Sequence, residues 1–322
     1  MLKRFFNVLL IIFFISLDCV GQDTDPGPGY QMLMMSNPAL TGLEGDGVLR
    51  LSYLNFYPGN NYNLHTVYFS YDSYFPSLHG GAGFYLSDDY LGGVVNDLRG
   101  GVSYAYFLQA GEDLFINAGL SASIHHRGYS FEKAILPDQI DPLGGVSGPS
   151  SEMLAATGQT VFDVGAGFVF ISGRIFGGVS INHLAEPNLS EIGFSDERLR
   201  RKLSAHLSGD FSISKNKDLR IRPVSFFSVQ KNFLSAGTGA VLESNYLSAS
   251  AVILGDNNKN MNIQTGFSLN AGKVNFYYNY RINIVSGNKL LPLSLLHQTG
   301  LAFGLYPVNK RNIIKTIKFP KL

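Results

Sequence analysis

The sequence has one cysteine, Cys19, and no tryptophan. Cys19 falls inside an N-terminal stretch that reads as a removable leader, so the mature chain carries no thiol. That excludes disulfides, thiol nucleophiles and cysteine metal sites. Charge is scarce as well, since Asp, Glu, Lys and Arg make up 15% of the chain against about 25% in ordinary soluble domains. Lys+Arg number 25 and Asp+Glu 24, a net charge of +1 that offers no basic surplus for nucleic acid. Past the leader no apolar run reaches the roughly 18 residues that a spanning helix needs.

What the chain does have is 36 Gly, 24 Phe and 17 Tyr among its 322 residues, with apolar side chains spread over alternate positions. Val161 to Pro187, VFDVGAGFVFISGRIFGGVSINHLAEP, shows the pattern best. Phe162, Val164, Ala166, Phe168 and Phe170 share one face; Asp163, Gly165, Gly167 and Val169 share the other. That is the period of a strand. Ser172-Gly173-Arg174 supplies a tight turn before the alternation resumes. Similar segments lie near 47–57, 63–73, 81–88, 98–109, 114–125, 161–171, 175–183, 203–213, 219–229, 236–243, 246–254, 261–270, 273–285 and 294–306. Pro223 fits the ninth awkwardly. The fold class this predicts is all-β, a transmembrane outer-membrane β-barrel of about 14 antiparallel strands.

Four regions follow. Residues 1–21 read as a signal peptide, with Lys3 and Arg4 before an apolar run from Phe5 to Leu17 and cleavage before Gln22. Asp18 before the cysteine argues against a lipoprotein signal. Residues 22–46 are set apart as a periplasmic N-terminal segment, 47–306 as the barrel and 307–322 as a basic periplasmic tail. With the N-terminus periplasmic, most even-numbered connections form short periplasmic turns, Ser73 to Gly80 being the exception. Odd ones, notably Arg127 to Thr160 and Leu184 to Lys202, form longer outer loops. The expected location is the cell outer membrane.

Several short motifs recur in an order that carries a family likeness: the entry segment with Asn37, Pro38, Ala39 and Gly42; FSYDS at 69–73; GGAGFYLSDDYLG at 80–92; SYAYFL at 103–108; LFINAGLSASI at 114–124; and FDVGAGFVF with GGVSINHLAEP over 162–187. Over roughly 30–306 the chain resembles the PorP/SprF family of type IX secretion outer-membrane proteins. It departs in two places. YLNFYPG stands where the family usually has a Gln-Trp pair, and a basic tail follows the last strand. On the matching positions the family-motif residues are Asn37, Pro38, Ala39, Gly42, Asp163, Gly165, Gly167, His183 and Pro187. The resemblance implies a non-enzymatic component of the type IX secretion and gliding machinery. Some members support export or display of a large surface adhesin; others associate with the periplasmic secretion ring and a peptidoglycan-binding lipoprotein. A passive or substrate-specific pore is the alternative.

No residue pattern calls for catalysis, a cofactor or a metal. His125, Arg127, His206, Asp210 and Arg281 fall on inward faces with Asp163, as interior salt bridges or a polar lumen. His125 and His126 point to opposite faces of one strand and offer one ligand per side. Ser204 and His206 share a face, but so do many Ser and His residues at i, i+2, and a hydrolase would need the base within hydrogen-bond reach of the serine. Asp138, Asp141 and Glu152 lack EF-hand spacing for Ca²⁺. Met32, Met34 and Met35 read as packing residues.

Overall fold

The computed structural model describes residues 31–59, 64–130, 139–141, 145–146, 157–189, 198–213, 219–287 and 292–306. The expected leader, the expected tail, Asp138 and Glu152 lie outside them. Fourteen strands build one antiparallel sheet. They are β1 (Gly47–Phe56), β2 (Leu64–Phe75), β3 (Gly80–Leu91), β4 (Val95–Gln109), β5 (Leu114–Tyr129), β6 (Thr157–Ser172) and β7 (Ile175–Asn182). Then come β8 (Lys202–Gly209, resuming at Phe211–Ser212), β9 (Arg220–Gln230), β10 (Phe233–Glu243), β11 (Leu247–Asp256), β12 (Met261–Ala271), β13 (Val274–Val285) and β14 (Ser294–Tyr306). Each strand pairs with the next in sequence, and β14 pairs with β1 over Val48–Phe56, which closes the ring. A closed ring leaves no open ladder edge, the condition for a sheet in lipid.

Alternation decides which side chains meet that lipid. On β5, Leu120 and Ile124 are 67% and 56% exposed, whereas Asn117, Ser123 and His125, at positions of the opposite parity, are buried. Phe162, Phe168 and Phe170 on β6 are outward in the same way, opposed by inward Asp163, Val169 and Ile171. An apolar belt of that extent would be untenable in water. Among the described residues no helix is long and apolar enough to span a membrane; crossing belongs to the strands. Leu120→Arg, at mid-strand on the lipid side, is expected to cost about 2–4 kcal/mol, read from the denaturant midpoint of folding into liposomes. Leu120→Phe, which keeps an apolar side chain against the lipid, should show no such penalty.

The ladders run further than the alternation. β3 to β6 reach Leu91, Val95, Tyr129 and Thr157, beyond the ends expected near 88, 98, 125 and 161. Backbone pairing continues there through Asp88, Asp89, Asn96 and Asp97, polar residues that interrupt the alternation while the ladder goes on. Pro223 is accommodated because β8 leaves its ladder with β9 at Gly209–Asp210, just where a donor from Pro223 would be missing. Even-numbered connections are short, such as Gly173–Arg174 between β6 and β7, where Gly173 takes φ +56°. Odd-numbered ones vary. The segments 130–156 and 183–201 are long, while Lys231 and Asn232 alone join β9 to β10.

The segment preceding β1 is not separate from the barrel. Residues 31–46, the described part of the expected periplasmic N-terminal segment over 22–46, lie inside the ring and are almost wholly buried. A single helical turn at Leu33–Ser36 is followed by a 3₁₀ turn at Pro38–Leu40. Short apolar residues in that run have no other way to leave water than to enter the lumen.

Candidate functional site

The lumen is the candidate site, and residues 31–46 of its own chain lie in it as a plug. Leu33, Ala39, Leu40 and Leu43 of this plug form one apolar cluster with Val169, Ile171 and Phe176 from β6 and β7. Val224, Val241, Val252 and Leu254 complete that cluster from β9, β10 and β11. Met32 and Met34 join a second cluster with Leu54, Tyr68, Tyr85 and Leu296, from β1, β2, β3 and β14. The plug thus touches wall strands on opposite sides of the ring.

Polar contacts fix its register. The Asn37 amide donates to Phe168 O and Val179 O, both at 3.3 Å, two carbonyls that face each other across the β6–β7 ladder. Its Oδ1 accepts from Ala39 N at 2.9 Å and so caps the 3₁₀ turn, where Pro38 has no N–H that would need an acceptor. Wall side chains bind the plug's backbone in return. Ser180 Oγ donates to Ser36 O at 2.7 Å, and Asn182 Nδ2 donates to Met35 O at 2.9 Å. Thr41 Oγ1 donates to Ser103 Oγ at 2.8 Å. Gly42 N donates to Asp72 Oδ2 at 2.7 Å, at φ +70° where a side chain would be strained.

The wall makes room with glycine. A Cβ on Gly119 would overlap Ala39 N, and one on Gly167 would overlap Asn37 Oδ1. Both occupy inward positions where their neighbours along the strand carry side chains. Bare inward positions in GGAGF, NAGL and VGAGF were the sequence signal for an object inside.

Charges elsewhere on the inward face are paired. Arg50 is 3% exposed; it bridges Asp72 and sits 2.9 Å from Glu44 of the plug. Arg127 meets Asp97 at 2.7 Å, and Arg99 lies 3.4 Å from Asp97 and 3.6 Å from Asp89. Arg222 joins Glu243 at 2.8 Å and Asp210 at 3.4 Å, with Arg220 also 3.3 Å from Asp210. Arg281 donates to Gln264 Oε1 from Nε and Nη2. His206 is inward and packs edge-on to Phe176, their ring centroids 6.2 Å apart.

The sequence-derived residues therefore sort into groups. Asn37, Pro38, Ala39, Gly42 and Gly167 meet at the plug. Gly165 stands beside Ser121 and Asn182. Asp163 and His183 pair at 2.7 Å with His125 beside them. Pro187 accepts a backbone bond from Leu199 at 2.9 Å, where the connection after β7 folds back. Arg127, His206, Asp210 and Arg281 are distributed round the wall and do not converge. His126 is turned away from His125 and contacts Thr160 Oγ1 at 2.9 Å on the outer face. The salt-bridge partners Arg50, Asp72 and Arg222 were not singled out in the sequence, although each sits at an inward position of its strand.

The model of type IX secretion system membrane protein PorP/SprF matches residues 30–298. The chain belongs to this family. A PorP/SprF chain with this fold is an outer-membrane barrel of the type IX secretion system. No curated protein matches its sequence. Among solved structures it is similar to the toluene transporter TodX of P. putida, with a TM-score of 0.51 and 11% identity, over 87% of this chain and 94% of that one. It is also similar to the monoaromatic hydrocarbon channel CymD, with a TM-score of 0.50 and 12% identity, over 89% of this chain and 95% of that one. Identities that low speak for the shared barrel fold alone. The plug's seat coincides with the motifs on which the family likeness rests.

Proposed function

We propose that this PorP/SprF barrel is a non-enzymatic scaffold of the type IX secretion and gliding machinery. One rim supports export or surface attachment of a large partner adhesin. The other docks to the periplasmic secretion ring and its peptidoglycan-binding lipoprotein. The observation that carries this reading is the filled lumen. A barrel occupied by residues of its own chain, held by hydrogen bonds and two apolar clusters, acts through its rims rather than by conduction. The leader over 1–21, cleaved before Gln22, delivers the N-terminus to the periplasm. The rim where residues 31–46 enter β1 is then periplasmic, and the rim at Tyr129, Thr157, Asn182 and Lys202 is the outer one. The tail supplies Lys310, Arg311, Lys315, Lys318 and Lys321 with no acidic residue, a charge pattern suited to an acidic periplasmic surface.

Deleting the gene should abolish surface display of the partner adhesin, read by surface labelling of intact cells, together with gliding. Unchanged surface proteins and motility in the deletion strain would refute the scaffold. A substrate-specific pore is the second reading. It is favoured by the charged wall around Asp89, Asp97, Arg99 and Arg127, and by the fold shared with the monoaromatic hydrocarbon channel CymD.

A further inference from the structure

Three buried side chains that the scaffold does not use meet inside the wall. His125 comes from β5, Asp163 from β6 and His183 from the position just after β7, and their ligand atoms all lie within 4.8 Å of one another. The β5–β6 register sets Ser123 opposite Asp163 and His125 opposite Val161, which makes His125 and Asp163 diagonal neighbours on the inward face. Strand geometry alone would not bring His183 to them. Ser180 and Asn182 already point inward to bind the plug, so a regular continuation would turn residue 183 outward. A φ of +58° at His183 reverses that and leaves the residue 5% exposed. Non-glycine residues adopt such a backbone sparingly, and at a cost that local contacts must offset.

His183 Nδ1 stands 2.7 Å from Asp163 Oδ2. The other carboxylate oxygen, Asp163 Oδ1, is buried with no hydrogen-bond partner, in a residue only 3% exposed. A buried acceptor left in that state costs about 1–3 kcal/mol and calls for an explanation. The rings of His125 and His183 stand edge to face, 5.9 Å between centroids, both turned toward the carboxylate.

We propose that His125, Asp163 and His183 bind one divalent transition cation of borderline softness, with Zn²⁺ as its probe. Two imidazoles and one carboxylate are a donor set for Zn²⁺ or its neighbours, whereas Ca²⁺ and Mg²⁺ take oxygen ligands. Small side-chain rotations gather the three ligand atoms to the roughly 3.3 Å spacing of a tetrahedron with bonds of about 2.0–2.1 Å. The cation takes up the charge of the carboxylate whose Oδ1 is unpartnered. Ser123 Oγ, 3.4 Å from His125 Nε2, helps orient that ring. The fourth position is open to water. So placed, the ion clasps β5, β6 and the start of the connection 183–201, and sets where that long segment leaves the wall.

The test uses the full-length barrel purified from the outer membrane in detergent, stripped with a chelator and then titrated with Zn²⁺ or Co²⁺. Close to one ion per chain is expected, with Co²⁺ giving the visible d–d bands of a four-coordinate nitrogen and oxygen site. Asp163→Asn and His183→Gln should each weaken Zn²⁺ binding by more than the roughly 10–100-fold that loss of an outer-shell partner costs. A wild-type barrel that takes up no stoichiometric metal overturns the proposal, as does Asp163→Asn binding Zn²⁺ as tightly as the wild type. Heat-modifiable gel migration reports whether each variant is folded. Where a variant is not, the wild-type Co²⁺ spectrum decides: four-coordinate bands support the site and their absence overturns it.

Discussion

A variant lacking residues 31–46 is expected to conduct ions in stable, discrete steps across planar bilayers, while the full chain stays close to baseline. The wall does not depend on the plug for its ladders. All fourteen strand pairings join strands to one another, and the plug adds none of them. What the plug supplies is occupancy. Leu33, Ala39, Leu40 and Leu43 cover Val169, Ile171, Phe176, Val224, Val241, Val252 and Leu254, which would otherwise face an aqueous lumen. Removing it opens a passage and wets that apolar patch, so some loss of stability accompanies the gain in conductance. A gentler version keeps the segment and fills its seat. Gly119→Val with Gly167→Val places side-chain atoms where Ala39 N and Asn37 Oδ1 now lie, and should produce the same conducting state. Leu120→Ala, on the lipid side of the same strand, should leave conductance at baseline. Conductance in the full chain equal to that of the deletion variant would remove the filled lumen as a support for the scaffold and favour the pore.

The second large effect concerns Arg50. Its guanidinium is 3% exposed, and it neutralises Asp72, which is 1% exposed, as well as Glu44 of the plug. Arg50→Ala leaves Asp72 as an uncompensated buried charge, a change expected to cost about 3–5 kcal/mol. The drop should appear in the denaturant midpoint of the folded barrel and in the temperature at which its unboiled gel band disappears. Replacing both partners, Arg50→Met with Asp72→Leu, should recover much of the loss because neither charge is then stranded. Recovery will be incomplete, since Gly42 N also loses its acceptor on Asp72. An Arg50→Ala barrel within about 1 kcal/mol of wild type would show that water reaches Asp72 and that the lumen is wetter at this point than its burial implies.

Strand existence was readable because the two faces of a strand are a local property. Phe162, Phe168 and Phe170 against Asp163 and Val169 declare a wall between lipid and interior without reference to any other segment. Strand ends were less readable. Asp88, Asp89, Asn96 and Asp97 break the apolar–polar alternation, yet their backbones still pair, so the alternation stops while the ladder goes on. Pro223 looked out of place only because the break in β8 opposite it belongs to a different strand.

Composition and periodicity were enough to establish a membrane barrel, its strand number and the sidedness of each strand, since each depends on neighbours two residues apart. The contents of the barrel were settled only by closure. The run from Gln31 to Asp46 has no period of its own, and its partners Gly119, Gly167 and Val179 come together only when the ring closes. His183 makes the same point at a single residue. Alternation sends it outward, and a left-handed backbone, held by contacts between β5, β6 and the exit from β7, brings it inward to Asp163. Period-two patterning fixes direction within a strand, whereas the packing of a lumen depends on distances between strands that no local pattern encodes.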